Sequence, residues 1–442
     1  MAQTLPESTT AVDEAISTPA SENPRRTIIF SCILFFLALF ALIVSSIKLG
    51  INPFGSSASN HFVYQAESLL HGHLDIPHFT QTDIILVNGK HYIVYPPFPA
   101  ILMMPFVAIF GLQFSDIFFT QVLSALNIVL LFWLLECLRL SGRSRRTFQQ
   151  NFALCIFFFF GTINFYLSLG GTMWFTAHIV AATCTLCFLL FAFKRRYALA
   201  SFCLGCAFLT RAPALVGVLL LFYLLLEERT GVNTLRSMLK GLSNLTWRQV
   251  RLALAPLAAF LLLFLLRDTL AFGSPWQTGY PLLVQQLYPE VHYGVISPHY
   301  IWPDLVANFL SFPSFTYRDA FDISPNLDIL QGGIGLSVFA TTPLFLFLFF
   351  SRNRQPSALL KALWLIIGLV IVATLLYHAA GWFQFGSRYL FEGYPYAFLL
   401  LALSEIEMDW RFYLLGLFGV IINFIGAQAF WTTLLAALRH TA

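Results

Sequence analysis

The feature that most constrains this chain is a series of long apolar runs separated by short clusters of Lys and Arg. The first run, Thr27–Leu49, follows Arg25-Arg26 and has 23 residues, which is long enough to cross a bilayer. The chain is 58% hydrophobic and only 10% charged, whereas a soluble domain carries about 25% charged residues. Such a surface is not stable in water. The sequence therefore predicts an all-α, polytopic integral membrane protein.

The basic clusters predict the orientation, because Lys and Arg favour cytoplasmic loops. One cytoplasmic side accommodates 18 of the 25 basic residues, which lie at 25–26, 139–146, 194–196, 229–251, 352–361 and 411. We therefore predict a bacterial inner (plasma) membrane protein with a cytoplasmic N-terminus and with residues 50–96 outside. The net charge of +4 is divided among the loops, which argues against a nucleic-acid partner.

The stretch "NGKHYIVYPPFPAILMMPF" (Asn88–Phe106) has to be reconciled with this orientation. Counting Phe98–Gly111 as a spanning helix would put the cluster at 139–146 outside. These 14 residues would also extend only about 21 Å, which is short for a hydrocarbon core of roughly 30 Å. We therefore expect a turn, an extended segment that ends in prolines, and a helix that lies along the outer membrane surface.

About eleven transmembrane helices follow from this threading. They are predicted at 27–49, 115–138, 149–167, 173–193, 197–209, 213–226, 252–271, 333–350, 362–380, 393–404 and 412–437. The pair 197–209 and 213–226 is short, so we expect the break at Thr210–Pro213 to lie within the outer leaflet. Backbone breaks at that depth are tolerated beside protein or a water-filled cavity.

Four regions result from this organisation. Residues 1–24 are polar and predict a disordered cytoplasmic tail. Residues 25–271 form a transmembrane module that includes the outer loop 50–111. A second outer loop follows at 272–332, and residues 333–442 form the C-terminal transmembrane helices.

Ionisable residues are concentrated in the predicted outer segments. "HGHLDIPH" (His71–His78) contains metal-ligand residue types, but its spacing matches no compact ligand signature, and an exposed polar loop explains it as well. Arg211 and Arg388 lie at the level of the outer leaflet, where an Arg is costly unless it is paired. Their partner is either a carboxylate, in a structural role, or the phosphate of a lipid or substrate. His178, one turn inside a helix, is a further candidate.

The outer loop resembles that of a known class of enzymes. Tyr64, Ala66, Leu70 and Gly72, followed by Asn88-Gly89, Tyr92 and Pro96-Pro97, form a pattern similar to that of the polytopic GT-C glycosyltransferases. It is most similar to bacterial relatives of protein mannosyltransferases and lipid A aminoarabinose transferases. "LTRAP" (Leu209–Pro213) and "FQFGSRYLFEGYPY" (Phe383–Tyr396) resemble the broken helix and the late outer loop of this class. The resemblance covers about the first 230 residues and that late loop.

The resemblance implies an activity and a set of substrates. Such enzymes transfer a sugar from a polyprenyl phosphate to an acceptor hydroxyl on the outer face of the membrane. The acceptor here, whether glycan, lipid or protein, is not specified by the sequence. The reaction needs a carboxylate to orient or deprotonate the acceptor and cations to stabilise the leaving phosphate. Because Arg side chains already supply those cations, we expect no metal or other cofactor to be required.

In many relatives an acidic pair lies four and three residues before the tyrosine that corresponds to Tyr64. This chain has Asn60 and His61 at those positions, and neither is acidic. Asp83, in the same loop, is the candidate catalytic carboxylate that replaces the pair, although it is equally consistent with a solvated loop residue. Glu67 lies one helical turn from Tyr64 and is a candidate acceptor-side residue or a partner for an arginine.

The remaining candidates have supporting roles. Arg388 and Arg211 are the predicted phosphate ligands, and Lys90, Tyr92 and Tyr95 are expected to line the entrance to the lipid-phosphate site. Asn60, His61 and His178 are candidate acceptor-side or supporting residues.

Two alternatives to a glycosyltransferase remain open. A transporter or flippase for lipid-linked sugars would be expected to carry charged residues at mid-membrane and inverted repeats, and neither is evident. A non-catalytic assembly subunit of the same fold class would account for the absent acidic pair.

Overall fold

The structure is a computed structural model that describes residues 24–77, 82–230, 246–317, 325–350, 357–381 and 383–441. Helices account for most of these residues, and the two sheets have two strands each. Within the described ranges six helices are long and apolar enough to cross a membrane. The predicted all-α, polytopic membrane architecture is therefore confirmed, and the protein is an integral membrane protein. The number of eleven passes stays a prediction, as do the region boundaries, and the tail at 1–23 lies outside the described residues.

The first half of the chain alternates long helices with one outer segment. Its elements are α1 Pro24–Lys48, α2 His61–Leu70, β1 Ile84–Val87, β2 Lys90–Ile93, α3 Phe98–Phe110, α4 Asp116–Leu140, α5 Phe148–Phe160, α6 Asn164–Leu167, α7 Met173–Phe193, α8 Tyr197–Phe208 and α9 Val218–Thr230. Short 3-10 helices at Gly111–Gln113 and Ala212–Gly217 follow α3 and precede α9.

The second half contains the other outer segment and the C-terminal helices. Its elements are α10 Trp247–Phe272, α11 Gly279–Leu287, α12 Ile301–Leu305, β3 Ser314–Tyr317, β4 Pro325–Asp328, α13 Val338–Thr341, α14 Ala358–Leu375, α15 Tyr394–Leu403 and α16 Trp410–Thr441. A π-helical turn at Val306–Leu310 continues α12, and 3-10 helices lie at Pro298–Tyr300, Gln331–Gly333, Pro343–Phe350 and Arg388–Gly393.

The stretch Asn88–Phe106 folds as a turn, an extended segment and a helix, as predicted. Asn88 and Gly89 both have positive φ, at 50° and 74°, which is the conformation of a two-residue hairpin turn between β1 and β2. Pro99 then lies in the first turn of α3, where a missing N–H has no cost.

The outward face of α3 is apolar. Phe106, Ile109 and Phe110 are exposed, whereas Ala100, Met103 and Val107 are buried against the protein. An exposed face of this composition is unfavourable in water and suits contact with lipid. The predicted orientation of α3 along the outer membrane surface stays a prediction that this face supports.

The predicted break between two short helices is confirmed. α8 ends at Phe208, and the next helical turn begins at Ala212. Arg211 directly precedes this turn and is extended with φ of −149°, and Pro213 lies at the second position of the turn, where its missing N–H has no cost. Because the chain is broken here, Arg211 belongs to neither helix, and its side chain contacts Glu392 and Tyr389 of the late segment.

Two predicted helices are interrupted. The continuous pass at 333–350 is wrong, because Gly332, Gly333 and Gly335 have positive φ, and only the short α13 and the 3-10 helix from Pro343 remain. The pass at 149–167 is divided at Gly161. A Cβ at Gly161 would lie 2.9 Å from the Phe157 carbonyl oxygen and 3.3 Å from the Gly416 carbonyl oxygen of α16, so close packing of α16 holds the break.

Polar side chains link the central helices α4 and α7 to their neighbours. The hydroxyls of Thr120 and Thr176 lie 2.7 Å apart, and Gln121 Nε2 donates to Ser46 Oγ of α1 at 2.8 Å. Within a bilayer such hydrogen bonds between helices replace the hydrophobic driving force that is missing between apolar surfaces. A separate apolar cluster joins the first outer segment to the start of α7 and the end of α10, and includes Phe62, Ile93, Met173 and Ala271.

Replacing Arg146 with Ala is expected to lower the free energy of unfolding by about 3 kcal/mol. The buried Arg146 guanidinium donates to the carbonyls of Leu401, Ser404 and Ile406 at 2.7, 3.0 and 2.6 Å, and so caps the end of α15. Arg145 is the matched control. Its side chain is 93% exposed beside Glu405, so Arg145→Ala should cost less than about 1 kcal/mol. Denaturant unfolding in one bilayer mimic compares the two, and equal losses would refute the capping role.

Candidate active site

Asp83 is held where the first outer segment meets the second. The residue has φ of 64°, a left-handed conformation that Asp tolerates better than most residues, and its side chain is buried. Its Oδ2 accepts hydrogen bonds from Tyr95 Oη at 3.0 Å and Trp174 Nε1 at 2.8 Å. Its Oδ1 accepts from Tyr288 Oη at 2.7 Å. Because these donors come from the hairpin exit, α7 and the residue after α11, the carboxylate joins three separate segments.

His61 fixes the backbone next to Asp83. Its side chain is fully buried in the first turn of α2, and Nε2 lies 2.7 Å from the carbonyl oxygen of Thr82. Burial lowers the pKa of His61, against a smaller raising effect of the neighbouring Asp83 charge. The imidazole is therefore neutral at neutral pH, and its contact with Thr82 places His61 in a supporting position behind Asp83.

Tyrosines surround the Asp83 carboxylate. The rings of Tyr95 and Tyr280 lie 5.8 Å apart in an edge-to-face arrangement. Burial, and then the charge of Asp83, raise the pKa of Tyr95 well above its usual range. Burial also raises the pKa of Tyr280 and Tyr288, and Asp83 adds to both effects. These phenols therefore stay protonated, and those of Tyr95 and Tyr288 donate hydrogen bonds to the Asp83 carboxylate.

Arg388 is a buried cation beside this cluster. Its side chain packs against aromatic faces, with the guanidinium carbon 5.2 Å from the ring centre of Tyr389 and 5.8 Å from that of Phe175. Nη2 also donates to Tyr389 Oη at 3.4 Å, whereas Nε is buried without a hydrogen-bond partner. Within the described ranges no carboxylate forms an ion pair with Arg388. A buried, unneutralised guanidinium is costly, which favours a role in binding an anion.

Arg211, by contrast, is neutralised. Its Nε contacts Glu392 Oε1, and His178 Nδ1 lies 3.0 Å from the same oxygen. The Arg211 guanidinium also lies over the ring of Tyr389, 5.4 Å from its centre, so that this ring contacts both arginines. His178 and Glu392 are almost completely buried, and Arg211 is largely buried. Of the two roles that the sequence left open for such an arginine, pairing with a carboxylate is therefore present at Arg211.

The two arginines and Asp83 belong to one cluster. Tyr280 interacts electrostatically with both Arg211 and Asp83. Tyr95, which donates to Asp83, interacts electrostatically with Arg388. Residues from the first outer segment, the helix break and the late segment at 383–396 therefore meet in one buried, tyrosine-rich region.

The other predicted site residues lie outside this region. Lys90 is half-exposed at the tip of the hairpin, with Nζ 3.1 Å from Asp75 Oδ1. Tyr92 is buried in the adjoining apolar cluster, with its ring 5.7 Å from that of Phe272. Glu67 faces outward on α2, with a carboxylate oxygen 3.7 Å from His71 Nδ1.

Asn60 directly precedes α2 and is buried next to His61. In the "HGHLDIPH" stretch, His71 and His73 are exposed, as a polar loop predicts, and His78 lies outside the described residues. No three His, Cys, Asp or Glu side chains in the described part of the chain are placed to share a metal ion.

Several members of the cluster were not singled out from the sequence. They are Tyr280, Tyr288, Tyr377, Tyr389 and Glu392. Tyr389 and Glu392 share the segment "RYLFEGYP" with Arg388, but the spacing of Arg388 and Glu392 would have predicted a pair between them, whereas Glu392 contacts Arg211 instead. Tyr288 lies 205 residues from Asp83, and local sequence carries no signal for a contact of that range.

Comparison with known proteins gives a structural similarity and no match in sequence. No protein-family model matches this chain, and no curated protein matches it. Among solved structures, the chain is similar to the crystal structure of the Archaeoglobus fulgidus oligosaccharyltransferase in the apo form. The two share 14% sequence identity with a TM-score of 0.49 over 90% of this chain. The match covers 56% of the archaeal chain, so this protein spans little more than half of its length.

Proposed function

We propose that this protein is a GT-C class membrane glycosyltransferase that moves a sugar from a polyprenyl-phosphate donor to an acceptor hydroxyl at the outer face of the membrane. The observation that carries this proposal is the meeting of Asp83, Arg211 and Arg388 in one tyrosine-rich region. A carboxylate and a free buried guanidinium are the two groups that this transfer needs, one for the acceptor and one for the leaving phosphate.

Asp83 is the proposed acceptor-side carboxylate. An ionised carboxylate offers about four lone-pair sites, and the three hydrogen bonds from Tyr95, Trp174 and Tyr288 leave about one for an acceptor hydroxyl. In the proposed step the acceptor oxygen bonds to the anomeric carbon of the sugar, and its proton passes to Asp83. Because both Asp83 oxygens already accept hydrogen bonds, orienting the hydroxyl is the larger part of this role.

Arg388 is the proposed ligand of the donor phosphate. As the bond between the anomeric carbon and the phosphate oxygen breaks, negative charge accumulates on the leaving polyprenyl phosphate. Arg388 has no carboxylate ion pair in the described part of the chain, so it can neutralise that charge without breaking such a pair. Arg211 contacts the same Tyr389 ring as Arg388 and has a supporting role in the proposed phosphate site. Tyr95 and Tyr280 provide phenol donors. That no metal is required stays a prediction.

Replacing Asp83 with Asn is expected to reduce sugar transfer by about 100-fold or more, because the amide cannot accept the proton and keeps one acceptor oxygen instead of two. Transfer from a panel of polyprenyl-phosphate sugars by the reconstituted protein measures the effect. Asp75→Asn, in the same segment but paired with the half-exposed Lys90, is the control and should leave transfer within about twofold of wild type.

The crowded Asp83 carboxylate also keeps one alternative open, a non-catalytic assembly subunit in which Asp83 only joins the outer segments. In that case Asp83→Asn would lower stability, and neither the variant nor the wild-type protein would transfer sugar from any donor of the panel. Transport of an intact lipid-linked sugar without cleavage of its sugar–phosphate bond would favour a flippase.

A further inference from the structure

At the opposite end of the helices from Asp83, α8 and α10 frame a groove of about 440 Å³ that the proposed active site does not use. It is lined by Ala198 of α8 and by Arg248, Arg251, Ala255 and Pro256 of α10. Its volume is within the range of small-molecule sites. The groove begins beside the basic cluster 194–196, which is one of the clusters that the sequence assigns to the cytoplasmic membrane surface.

The two helices are held together directly beyond the groove. The rings of Phe202 and Phe260 lie 5.2 Å apart, and a Cβ at Gly205 would lie 2.2 Å from the Phe260 ring. Closer to the groove, the backbone N–H of Leu257 donates to the buried Ser201 Oγ at 3.1 Å. Pro256 interrupts the helical hydrogen bonds of α10, and this side-chain contact fixes the helix at the interruption. The groove is therefore a built feature of the α8–α10 contact.

The mouth of the groove is positively charged. Arg248 and Arg251 are exposed, lie three residues apart on one face of α10, and make no ion pair within the described ranges. α8 and α10 run in the same direction, since residues 201, 202 and 208 contact residues 257, 260 and 264 in that order. Both helix N-termini, with their partial positive charge, therefore lie at this end.

Below the arginines the lining is apolar. Ala255 is one turn further along α10 than Arg251, which corresponds to about 6 Å along the helix axis. Trp247, at the start of α10, is 71% exposed, and an exposed Trp at a helix end is typical of the membrane–water interface. The arginines therefore lie at headgroup level, and Ala198, Ala255 and Pro256 lie at the level of the acyl chains.

We propose that this groove binds one glycerophospholipid with a net negative headgroup from the cytoplasmic leaflet. Its phosphate would be bound by Arg248 and Arg251, and one acyl chain would lie along Ala198, Ala255 and Pro256. Arg248 and Arg251 have no acidic partner among the residues that the structure describes, and they lie at the surface of an apolar groove between transmembrane helices. This arrangement selects anionic over zwitterionic headgroups. The proposal is independent of the glycosyltransferase activity, because the groove shares no residue with the tyrosine-rich region.

Native mass spectrometry of the delipidated full-length protein tests this assignment, with dioleoyl phosphatidylglycerol and dioleoyl phosphatidylcholine as probes. We expect one tightly bound phosphatidylglycerol in the wild type. The double variant Arg248→Gln/Arg251→Gln should lower its affinity by about tenfold or more, with weak phosphatidylcholine binding unchanged. Lys194→Gln/Arg196→Gln removes the same charge from the neighbouring turn and should retain the tight site.

A second variant separates the groove from the charges. Ala255→Phe leaves both arginines in place but fills the acyl-chain position, and it should weaken phosphatidylglycerol binding as well. If Ala255→Phe fails to fold, the lipid affinity of Arg248→Gln/Arg251→Gln still tests the proposal. Both arginine side chains are exposed, so their replacement should not prevent folding. Equal phosphatidylglycerol affinity in the two charge variants, or equal affinity of the wild type for both lipids, would overturn the proposal.

Discussion

Replacing Arg388 with Gln is expected to reduce sugar transfer by about 100- to 1,000-fold, as the loss of one charge-stabilising donor commonly does. The guanidinium lies between the aromatic faces of Tyr389 and Phe175 and forms no carboxylate ion pair in the described part of the chain. Its positive charge is therefore available for the leaving phosphate, and Gln, although it can donate hydrogen bonds, supplies no charge. Initial rates of transfer in proteoliposomes measure the effect.

Stability provides the control for that result. Since no ion pair among the described residues is lost, Arg388→Gln should change the thermal midpoint little. Arg411→Gln, at an exposed position of α16, should change neither stability nor transfer. Transfer by Arg388→Gln within about threefold of the wild-type rate would contradict the assignment of Arg388 to the phosphate.

Arg211→Gln is expected to act mainly on folding and to lower the free energy of unfolding by about 3–5 kcal/mol. Arg211 contacts Glu392, which is almost completely buried and also lies beside His178. Removing the arginine leaves the Glu392 charge buried beside the His178 imidazole, with no other ion-pair partner among the described residues. Equilibrium unfolding in one bilayer mimic measures the loss.

The double variant Arg211→Gln/Glu392→Gln tests the origin of that loss. Because it removes both charges together, it should lose less stability than the sum of the two single losses, with a coupling energy of at least about 1–3 kcal/mol. Simple addition of the two single losses would show that the pair is not the source. The contrast between Arg211 and Arg388 follows from one difference, the presence of a carboxylate partner.

The first outer segment could be predicted well from the sequence, because its turn and its short helix both have clear sequence signals. Asn88-Gly89 is a strong turn signal, since both residues tolerate the positive φ that the hairpin requires. Phe98–Phe110 was recognised as a separate short helix because treating it as a span conflicted with the charge of the following loop. Both inferences use only local chemistry or the distribution of charge.

The passes at 333–350 and 149–167 were wrong as continuous helices for a different reason. Hydrophobicity identifies a segment that lies in lipid or protein, but it does not report whether the backbone is continuous. At Gly161 the interruption is set by the approach of Gly416, more than 250 residues later in the chain. At Gly333 and Gly335 a local signal was present, since three glycines in four residues weaken a helix.

The candidate site was predicted in part. Arg388 could be identified because an arginine beside aromatic neighbours is costly unless it is paired. Asp83 could be identified because it lies in the loop where Asn60 and His61 replace the acidic pair. The side chains that contact the charged residues of the site were not predictable. The Tyr288 hydroxyl donates to Asp83 from 205 residues away in the chain, and the contact of Glu392 with Arg211 depends on how two distant segments are placed. Lys90 was assigned to the lipid entrance from its position in the loop, whereas in the fold it pairs with Asp75 at the hairpin tip.

The most direct test of the proposed function is to measure donor binding and sugar transfer side by side in Asp83→Asn and Arg388→Gln. Equilibrium binding of a polyprenyl phosphate to the reconstituted protein gives the first quantity, and transfer from the matching sugar donor gives the second. We predict that Asp83→Asn binds the lipid phosphate with nearly wild-type affinity and loses transfer, whereas Arg388→Gln loses both. Wild-type binding by both variants, together with undiminished transfer, would contradict the assignment of this tyrosine-rich region as the active site.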